Sequence, residues 1–358
     1  MTDALLSSLS ASLLDRFEER LREACASNVL QRRPYDRVGV ASPIAAMLDY
    51  HLGYHDPTHR RGKRVRPRLL FSVVTEFTAK MGFGTLRTHN EEHALAAAVA
   101  IEMLHNYSLI HDDIEDGDEL RHGRPTLWAR HGVAQALNAG DALCASASLA
   151  LLHSRGCDDA ATVARMMTVV HEAHLAMCRG QALDLSFEEA TSVDLTAYEA
   201  MIAGKTAAMF AAAAELGAIA AGADEARIAA CAEVGFAVGH AFQIADDAAG
   251  LWGRTATTGK PDGADLRRRK WTYPVVWALA QPPSTAQQRI AAAYRSHERL
   301  ASADLTSIEA AFTELHAEEA LTTARESTWQ RIERLIGEAT LSLDGPVARC
   351  CREIFDGR

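Results

Sequence analysis

Asp112, Asp113 and Asp116 stand at i, i+1 and i+4 in the stretch Tyr107-Ser108-Leu109-Ile110-His111-Asp112-Asp113-Ile114-Glu115-Asp116. On a helix Asp112 and Asp116 lie one above the other on the same face, and two ionised carboxylates that close repel unless a cation sits between them. Mg²⁺ suits such a pair, because it takes hard oxygen ligands, uses few carboxylates and fills its other positions with water and phosphate. The plainer reading of a lone pattern of this kind is a solvated acidic helix end. Its place at the end of an Ala-rich apolar run, and a second acidic pair far downstream, Asp246-Asp247, favour the metal.

Lysine usage points the same way. Of 37 cationic residues only Lys63, Lys80, Lys205, Lys260 and Lys270 are lysines, and four of them lie in Gly- or Arg-flanked clusters. A compact ammonium is a phosphate ligand that a planar guanidinium does not always replace. Lys63 and Arg66 are three apart ahead of an apolar run beginning at Leu69, where the free N–H groups of a helix start also favour an anion. Gly204-Lys205-Thr206 looks like the tail of a nucleotide-binding loop, but position 199 is Glu and no strand precedes it, so that reading is rejected.

The elements that carry these residues read as helices. Apolar positions at helical spacing run from Leu5 to Ala26, and Pro43 opens a helix to about Tyr50. Further helices are expected at 69–81, 91–110, 133–153, 158–185, 196–221 and 226–249, with a Gly-rich loop from Gly250 to Leu266 and a helix restarting at Thr272-Tyr273-Pro274. Residues 282–358 read as surface helices with alternating charge. No stretch alternates like a strand, so the fold class is all-α, with 1–358 as one domain.

A net charge of −10 argues against a nucleic-acid surface. Seven scattered cysteines without metal-ligand spacing suggest reduced thiols in a cytoplasmic protein. Residues 1–12 have no basic flank and do not read as a secretory signal. Charge interrupts the Ala-rich helices, so no membrane span is expected.

Two helices ending in aspartate pairs, with lysines in the surrounding loops, suit a cavity that holds a diphosphate through Mg²⁺. Metal and ammonium groups would stabilise the departing charge of an ionising diphosphate ester, and apolar helix walls could receive a hydrocarbon tail.

At these residues the chain resembles the trans-isoprenyl diphosphate synthases, or polyprenyl synthetases, over roughly 58–280. Gly62-Lys63-Arg64-Val65-Arg66-Pro67 is similar to the family's GKRxRP segment, His105 to Asp113 to its first aspartate-rich helix, and Gly180-Gln181-Ala182-Leu183-Asp184-Leu185 to its GQxxDL segment. Lys205-Thr206, Phe242 to Asp247, Gly259-Lys260 and Lys270-Trp271-Thr272-Tyr273-Pro274 follow in the family's order.

The resemblance implies a bundle of long antiparallel helices around a deep central cavity (the isoprenoid synthase fold), a homodimer, and Mg²⁺-dependent elongation of an allylic diphosphate by isopentenyl diphosphate. It assigns Asp112, Asp113, Asp116, Lys205, Asp246 and Asp247 to catalysis, with Asp112 and Asp116 on two Mg²⁺ ions and Asp246 on a third. Arg121, Lys205, Thr206, Gln243, Lys260 and Lys270 would surround the allylic diphosphate. Gly62, Lys63, Arg66, His105 and His122 would hold isopentenyl diphosphate, and Tyr107 would help form the floor under the growing tail. A class I terpene cyclase would need no isopentenyl site, which Lys63 and Arg66 speak against. An HD-type phosphohydrolase would need further helix-borne histidines, and a non-catalytic subunit is disfavoured by two intact aspartate pairs.

The chain departs from the family pattern twice. Gly250 stands where the second motif has its third aspartate, which leaves the third metal to Asp246. His122 stands where the family often has a second Arg; a neutral imidazole is the weaker anion contact, and histidine changes charge near neutral pH. The Michaelis constant for isopentenyl diphosphate is therefore expected to rise from pH 6 to 8 more steeply than in a His122→Arg variant, and matching pH profiles would refute this.

Overall fold

A computed structural model describes residues 2–26, 43–56, 62–80, 88–154, 159–252, 264–295, 300 and 302–356. The expected helices are present as α1 (Thr2–Cys25), α2 (Pro43–His51), α3 (Val65–Lys80), α4 (Thr88–Glu115), α6 (Val133–Leu152), α7 (Ala160–Phe187), α8 (Leu195–Ile202), α9 (Ala208–Ala221) and α10 (Glu225–Trp252), and one that was not expected, α5 (Leu127–His131), precedes α6. Short helices α11 (Ala264–Arg267) and α12 (Tyr273–Leu279) precede α13 (Thr285–Arg295), α14 (Ser302–Glu314), α15 (Ala317–Glu338) and α16 (Pro346–Phe355). The all-α class holds, with one addition. Residues 117–126, expected as a polar turn, contain a hairpin of two-residue strands, β1 (Leu120–Arg121) and β2 (Arg124–Pro125).

By its contacts the chain divides into two compact units, Met1–His171 with Ala212–Ala232 and Asp344–Cys350, and Glu172–Ala211 with Glu233–Leu343 and Cys351–Arg358. In the first unit Leu13, Phe17, Leu21 and Cys25 repeat every four residues and bury one stripe of α1. Phe17 meets Phe71 of α3 edge-on at 6.1 Å. Arg64, in the left-handed region at φ 51°, is buried between Glu18 and Glu102, bonding each at 2.8 Å. Gly217 of α9 lets that helix approach α3 backbone to backbone: a methyl group there would lie 2.6 Å from the carbonyl oxygen of Leu70.

The second unit has its own core, in which Tyr198, Ile202, Val275, Ile290, Tyr294, Ile308, Phe312 and Leu321 pack together. The stretch from 282, expected only at the surface, therefore supplies core. Tyr294 donates to the carbonyl of Lys270 at 3.1 Å, and Arg269 donates to the carbonyl of Tyr294 at 2.5 Å. Polar residues outnumber the buried stripe in these helices, so the sequence reads as surface.

Several boundaries differ from expectation. α3 begins at Val65, so Arg66 lies inside its first turn, where Pro67 is tolerated. α4 runs past Ile110 to Glu115 and takes Asp112 and Asp113 into the helix. α10 continues through Gly250 to Trp252. The expected single helix 196–221 is broken by a π-helical turn, Ala203–Ala207. Among the described residues two stretches, Leu195–Ala221 and Glu225–Trp252, are by length and composition alone apolar enough to cross a membrane. Their few charged residues are spaced widely enough to leave long apolar windows, and 67% and 50% of those windows is buried inside the protein, as in core helices.

Gly217→Ala is expected to lower stability by about 1–3 kcal/mol through overpacking against Leu70. Thermal melting of the purified variant checks this, and an unchanged midpoint would contradict the close approach.

Candidate active site

In the first unit the end of α4 is built by its own sequence. Gly117, at φ 65°, closes the helix: its N–H donates to Ile114 O at 3.3 Å and that of Asp118 to Asp113 O at 2.9 Å, the two bonds of a Schellman cap. The chain then turns through His122 and Gly123, at φ 52° and 76°, the pair of left-handed residues that a two-residue hairpin turn requires. The pairing of Arg121 with Arg124 across the hairpin places both side chains on one face. Arg121 reaches back to α4, where its Nε donates to Asp113 Oδ1 at 2.8 Å and a terminal nitrogen to Asp112 Oδ2 at 3.5 Å.

Asp113 is buried, and burial raises its pKa to about 6 against the opposing pull of Arg121. Asp112 and Asp116 are half-exposed, one turn apart, joined by the Asp116 N–H to Asp112 O bond at 2.8 Å. Among the described residues no group of three or more His, Cys, Asp or Glu could hold a metal ion. The pair nevertheless fits Mg²⁺, which binds through one or two carboxylates and takes its remaining oxygens from water and phosphate.

A cationic cluster lies in the same unit. Arg66 is buried in the first turn of α3, and burial depresses its pKa to about 10, with the charge of Glu102 opposing. His105 is held neutral: burial, then the charges of Arg66, Arg121 and Arg64, push its pKa well below the usual range. Arg66 and Arg121, assigned above to different diphosphates, thus both bear on His105. Lys63 is exposed, and His122 sits exposed at the hairpin tip. Tyr107 packs against His111, with ring centroids 4.5 Å apart and the planes inclined at 56°.

The second unit holds the other set. Gly180 of α7 and Gly204 of the π-helical turn bring backbones together: a methyl group on Gly180 would lie 2.1 Å from Lys205 N, and one on Gly204 2.5 Å from Ala176 O. That contact sets Lys205 beside Asp184, Nζ to Oδ2 2.5 Å. Thr206 donates to Gln243 Oε1 at 2.6 Å, and Gln243 donates to Asp247 Oδ1 at 2.8 Å. Asp247 Oδ2 also accepts from the Tyr198 hydroxyl at 2.6 Å and the Tyr273 N–H at 2.8 Å. Asp247 is buried with its pKa raised to about 6 by desolvation, while Asp246 is exposed. Lys270 is half-buried; Lys260 lies outside the described residues.

Sequence reasoning gave no role to Asp184, although it lies in a quoted motif, and none to Tyr198 or Asp265. Asp265 answers the missing third aspartate: its Oδ2 stands 2.1 Å from where a methyl group on Gly250 would be. A carboxylate from elsewhere in the chain fills that space. No signal in the sequence links positions 250 and 265.

Residues 50–312 match the family model described as polyprenyl synthetase. The chain belongs to the polyprenyl synthetase family, whose members are prenyltransferases that use a divalent metal. A (2E,6E)-farnesyl diphosphate synthase of Mycobacterium bovis is 41% identical over 251 residues, 69% of this chain and 66% of the relative, so the chain spans just under two thirds of that protein. A geranylgeranyl diphosphate synthase of Mycobacterium tuberculosis is 36% identical over 307 residues, 84% of this chain and 83% of the relative. The crystal structure of a polyprenyl synthetase from Streptomyces coelicolor superposes with a TM-score of 0.78 at 28% identity, covering 97% of this chain and 98% of the other.

In the absence of metal, Gly250→Ala is expected to lower the melting temperature by a few degrees, because the Asp265 carboxylate must move, a cost of about 1 kcal/mol. Adding Asp265→Ala, whose Cβ would remain 3.9 Å from the new methyl, should recover it. Additive losses in the double variant would show that the two positions do not meet.

Proposed function

We propose that this chain condenses isopentenyl diphosphate with an allylic diphosphate, head to tail (1′-4), to give an all-trans short-chain prenyl diphosphate. The main product is geranylgeranyl diphosphate (C20), with farnesyl diphosphate (C15) as a minor or competing product. The observation that carries this reading is the Arg121 clamp on Asp113, which leaves Asp112 and Asp116 half-exposed on one helix face; Arg66 and His105, the proposed isopentenyl diphosphate ligands, lie within electrostatic reach of Arg121.

In the reaction the bond from allylic C1 to the diphosphate oxygen breaks and its electrons leave with pyrophosphate. The isopentenyl double bond attacks the allylic cation, and the proton then lost passes to the released pyrophosphate. No side chain need act as a strong base. Mg²⁺, three ions per site in this proposal, supplies Lewis acidity on the diphosphate oxygens, with Asp112, Asp116 and Asp246 as its holders.

Arg121, Lys205, Thr206, Gln243, Lys260 and Lys270 bind the allylic diphosphate; Gly62, Lys63, Arg66, His105 and His122 bind isopentenyl diphosphate. Asp113 and Asp247 act by orienting Arg121 and Gln243. Lys205, drawn to Asp184, is an ammonium at fixed position, where stabilisation of leaving-group charge requires no reorganisation.

Tyr107 lies five residues before Asp112, about 7.5 Å along the helix, and its ring is braced by His111. The spacing from Asp113 to Asp116 carries no insertion. Both features favour C20, as does the match to the geranylgeranyl relative over 84% of the chain. The 41% identity to farnesyl relatives keeps C15 as the second reading.

A homodimer is supported by α6, which leaves Val133, Leu137 and Leu152 40–55% exposed along one helix. A cytoplasmic location is in keeping with cysteines 25, 144, 178, 231, 350 and 351 being thiols rather than disulfides.

Purified protein incubated with Mg²⁺, isopentenyl diphosphate and each of the C5, C10 and C15 allylic diphosphates is expected to yield new prenyl diphosphates up to C20. A hydrocarbon product would indicate a cyclase, and no product without a partner would indicate a subunit. Tyr107→Ala should shift the product beyond C20; an unchanged chain length would place the floor elsewhere.

A further inference from the structure

His51, the last residue of α2, plays no part in the reading above, yet it lies in the cationic cluster of the first unit. Burial comes first among the causes that depress its pKa to about 3, followed by the charge of Arg121, with Arg64 and Arg124 adding to it; a hydrogen bond with Asn106 opposes. His51 and His105 are close enough that protonation of one opposes protonation of the other. Asn106 is oriented by α4 itself, its amide nitrogen donating to Glu102 O at 2.8 Å and Glu102 Oε1 at 3.1 Å. Its carbonyl oxygen is therefore the atom turned to His51, and it accepts from the imidazole N–H.

The other ring nitrogen of His51, Nε2, is sealed from solvent and has no hydrogen-bond partner, and neither has a terminal nitrogen of buried Arg64. An unsatisfied buried polar atom is costly, by about 1–3 kcal/mol, and two in one cluster of arginines need an explanation. Glu102, the acid whose charge favours Arg66, already pairs with Arg64. Around His51 thus stand Arg64 from the turn before α3, Arg121 and Arg124 from the hairpin, and neutral His105 from α4, on which Arg66 also bears. Arg124 is itself fixed, 4.1 Å over the Tyr50 ring and bonded to Tyr50 O at 3.3 Å. Glu18 and Glu102 balance Arg64, and Asp113 with Asp112 balances Arg121, but none of these carboxylates bonds His51 Nε2.

We propose that His51 is a further ligand of isopentenyl diphosphate, its Nε2 sharing a proton with a diphosphate oxygen next to Arg66 and His105. The proton is taken up from solvent as the anion binds, and no covalent bond forms. This rests on the function proposed above but does not need turnover. The Asn106 contact orients the ring, and Nε2 makes the contact with the anion.

Two replacements separate these roles. Asn at position 51 can keep the N–H to Asn106 while leaving nothing at the place of Nε2, and Gln carries an amide N–H out to that place. Binding of isopentenyl diphosphate to the full chain, measured by calorimetry, is expected to weaken about tenfold in His51→Asn and to recover to within about threefold in His51→Gln. The melting temperature of His51→Asn and its KM for the allylic diphosphate should stay unchanged. Wild-type binding measured in buffers of different ionisation enthalpy should show proton uptake that His51→Asn lacks.

Unaltered binding in His51→Asn would mean that Nε2 meets only a water molecule, and would overturn the proposal. So would equal weakening in both variants. Should the wild-type protein bind isopentenyl diphosphate yet form no product, the proposed reaction falls while this contact stands.

Discussion

The end of α4 gathers more negative charge than a helix terminus tolerates, and the ion pair from Arg121 to Asp113 resolves it. A C-terminus already carries the negative end of the helix dipole, and Asp112, Asp113, Glu115 and Asp116 add to it within five residues. Arg121 neutralises the buried member of the set and so fixes the hairpin against the helix. This requires Gly117 to end the helix, then His122 and Gly123 to reverse the chain within two residues. Removing Arg121 would leave the buried Asp113 carboxylate without this partner, a cost of about 1–3 kcal/mol, so the hairpin and the helix end support each other.

Both aspartate doublets divide their work in the same way. Neighbours on a helix point about 100° apart, so when one faces the protein the other faces water. Asp113 and Asp247 are the inward members: each is buried, each has its pKa raised to about 6 by desolvation, and each is held by donors from other elements. Asp112 and Asp246 are the outward members. A buried carboxylate that accepts from Gln243, Tyr198 and the Tyr273 N–H has little left to offer a metal. Its effect is to fix Gln243, and through it Thr206, at the turn that also carries Lys205.

That division explains which parts of the site could be read from the sequence. Asp112, Asp116, Lys205 and Arg66 announce themselves through residue type, spacing and flanking glycine. The helices were legible as well, because their apolar periodicity is long and regular. What stayed hidden depends on contacts between distant segments. Nothing local says that Asp265 fills the space beside Gly250, that Tyr294 secures Lys270, or that Asn106 turns its carbonyl to His51. The π-helical turn at Ala203–Ala207 was also invisible, since Ala-rich flanks support an unbroken helix, and only the backbone contact of Gly180 with Gly204 favours the wider turn.

Close packing of this kind also bears on how long a tail the first unit could accept. Tyr107 does not stand alone on α4; its ring rests on His111, and His111 occupies the space that Gly140 of α6 leaves open, 2.4 Å from where a methyl would be. His111 Nε2 also lies 3.8 Å from Asp141 on the same helix. Three positions on two helices therefore set one boundary. Any side chain at 140 must push the imidazole toward Tyr107, and a smaller residue at 111 would leave the phenol ring without its brace. On the function proposed here, the depth beneath Asp112 would follow from the fit between α4 and α6, and residue 107 would not set product length by itself.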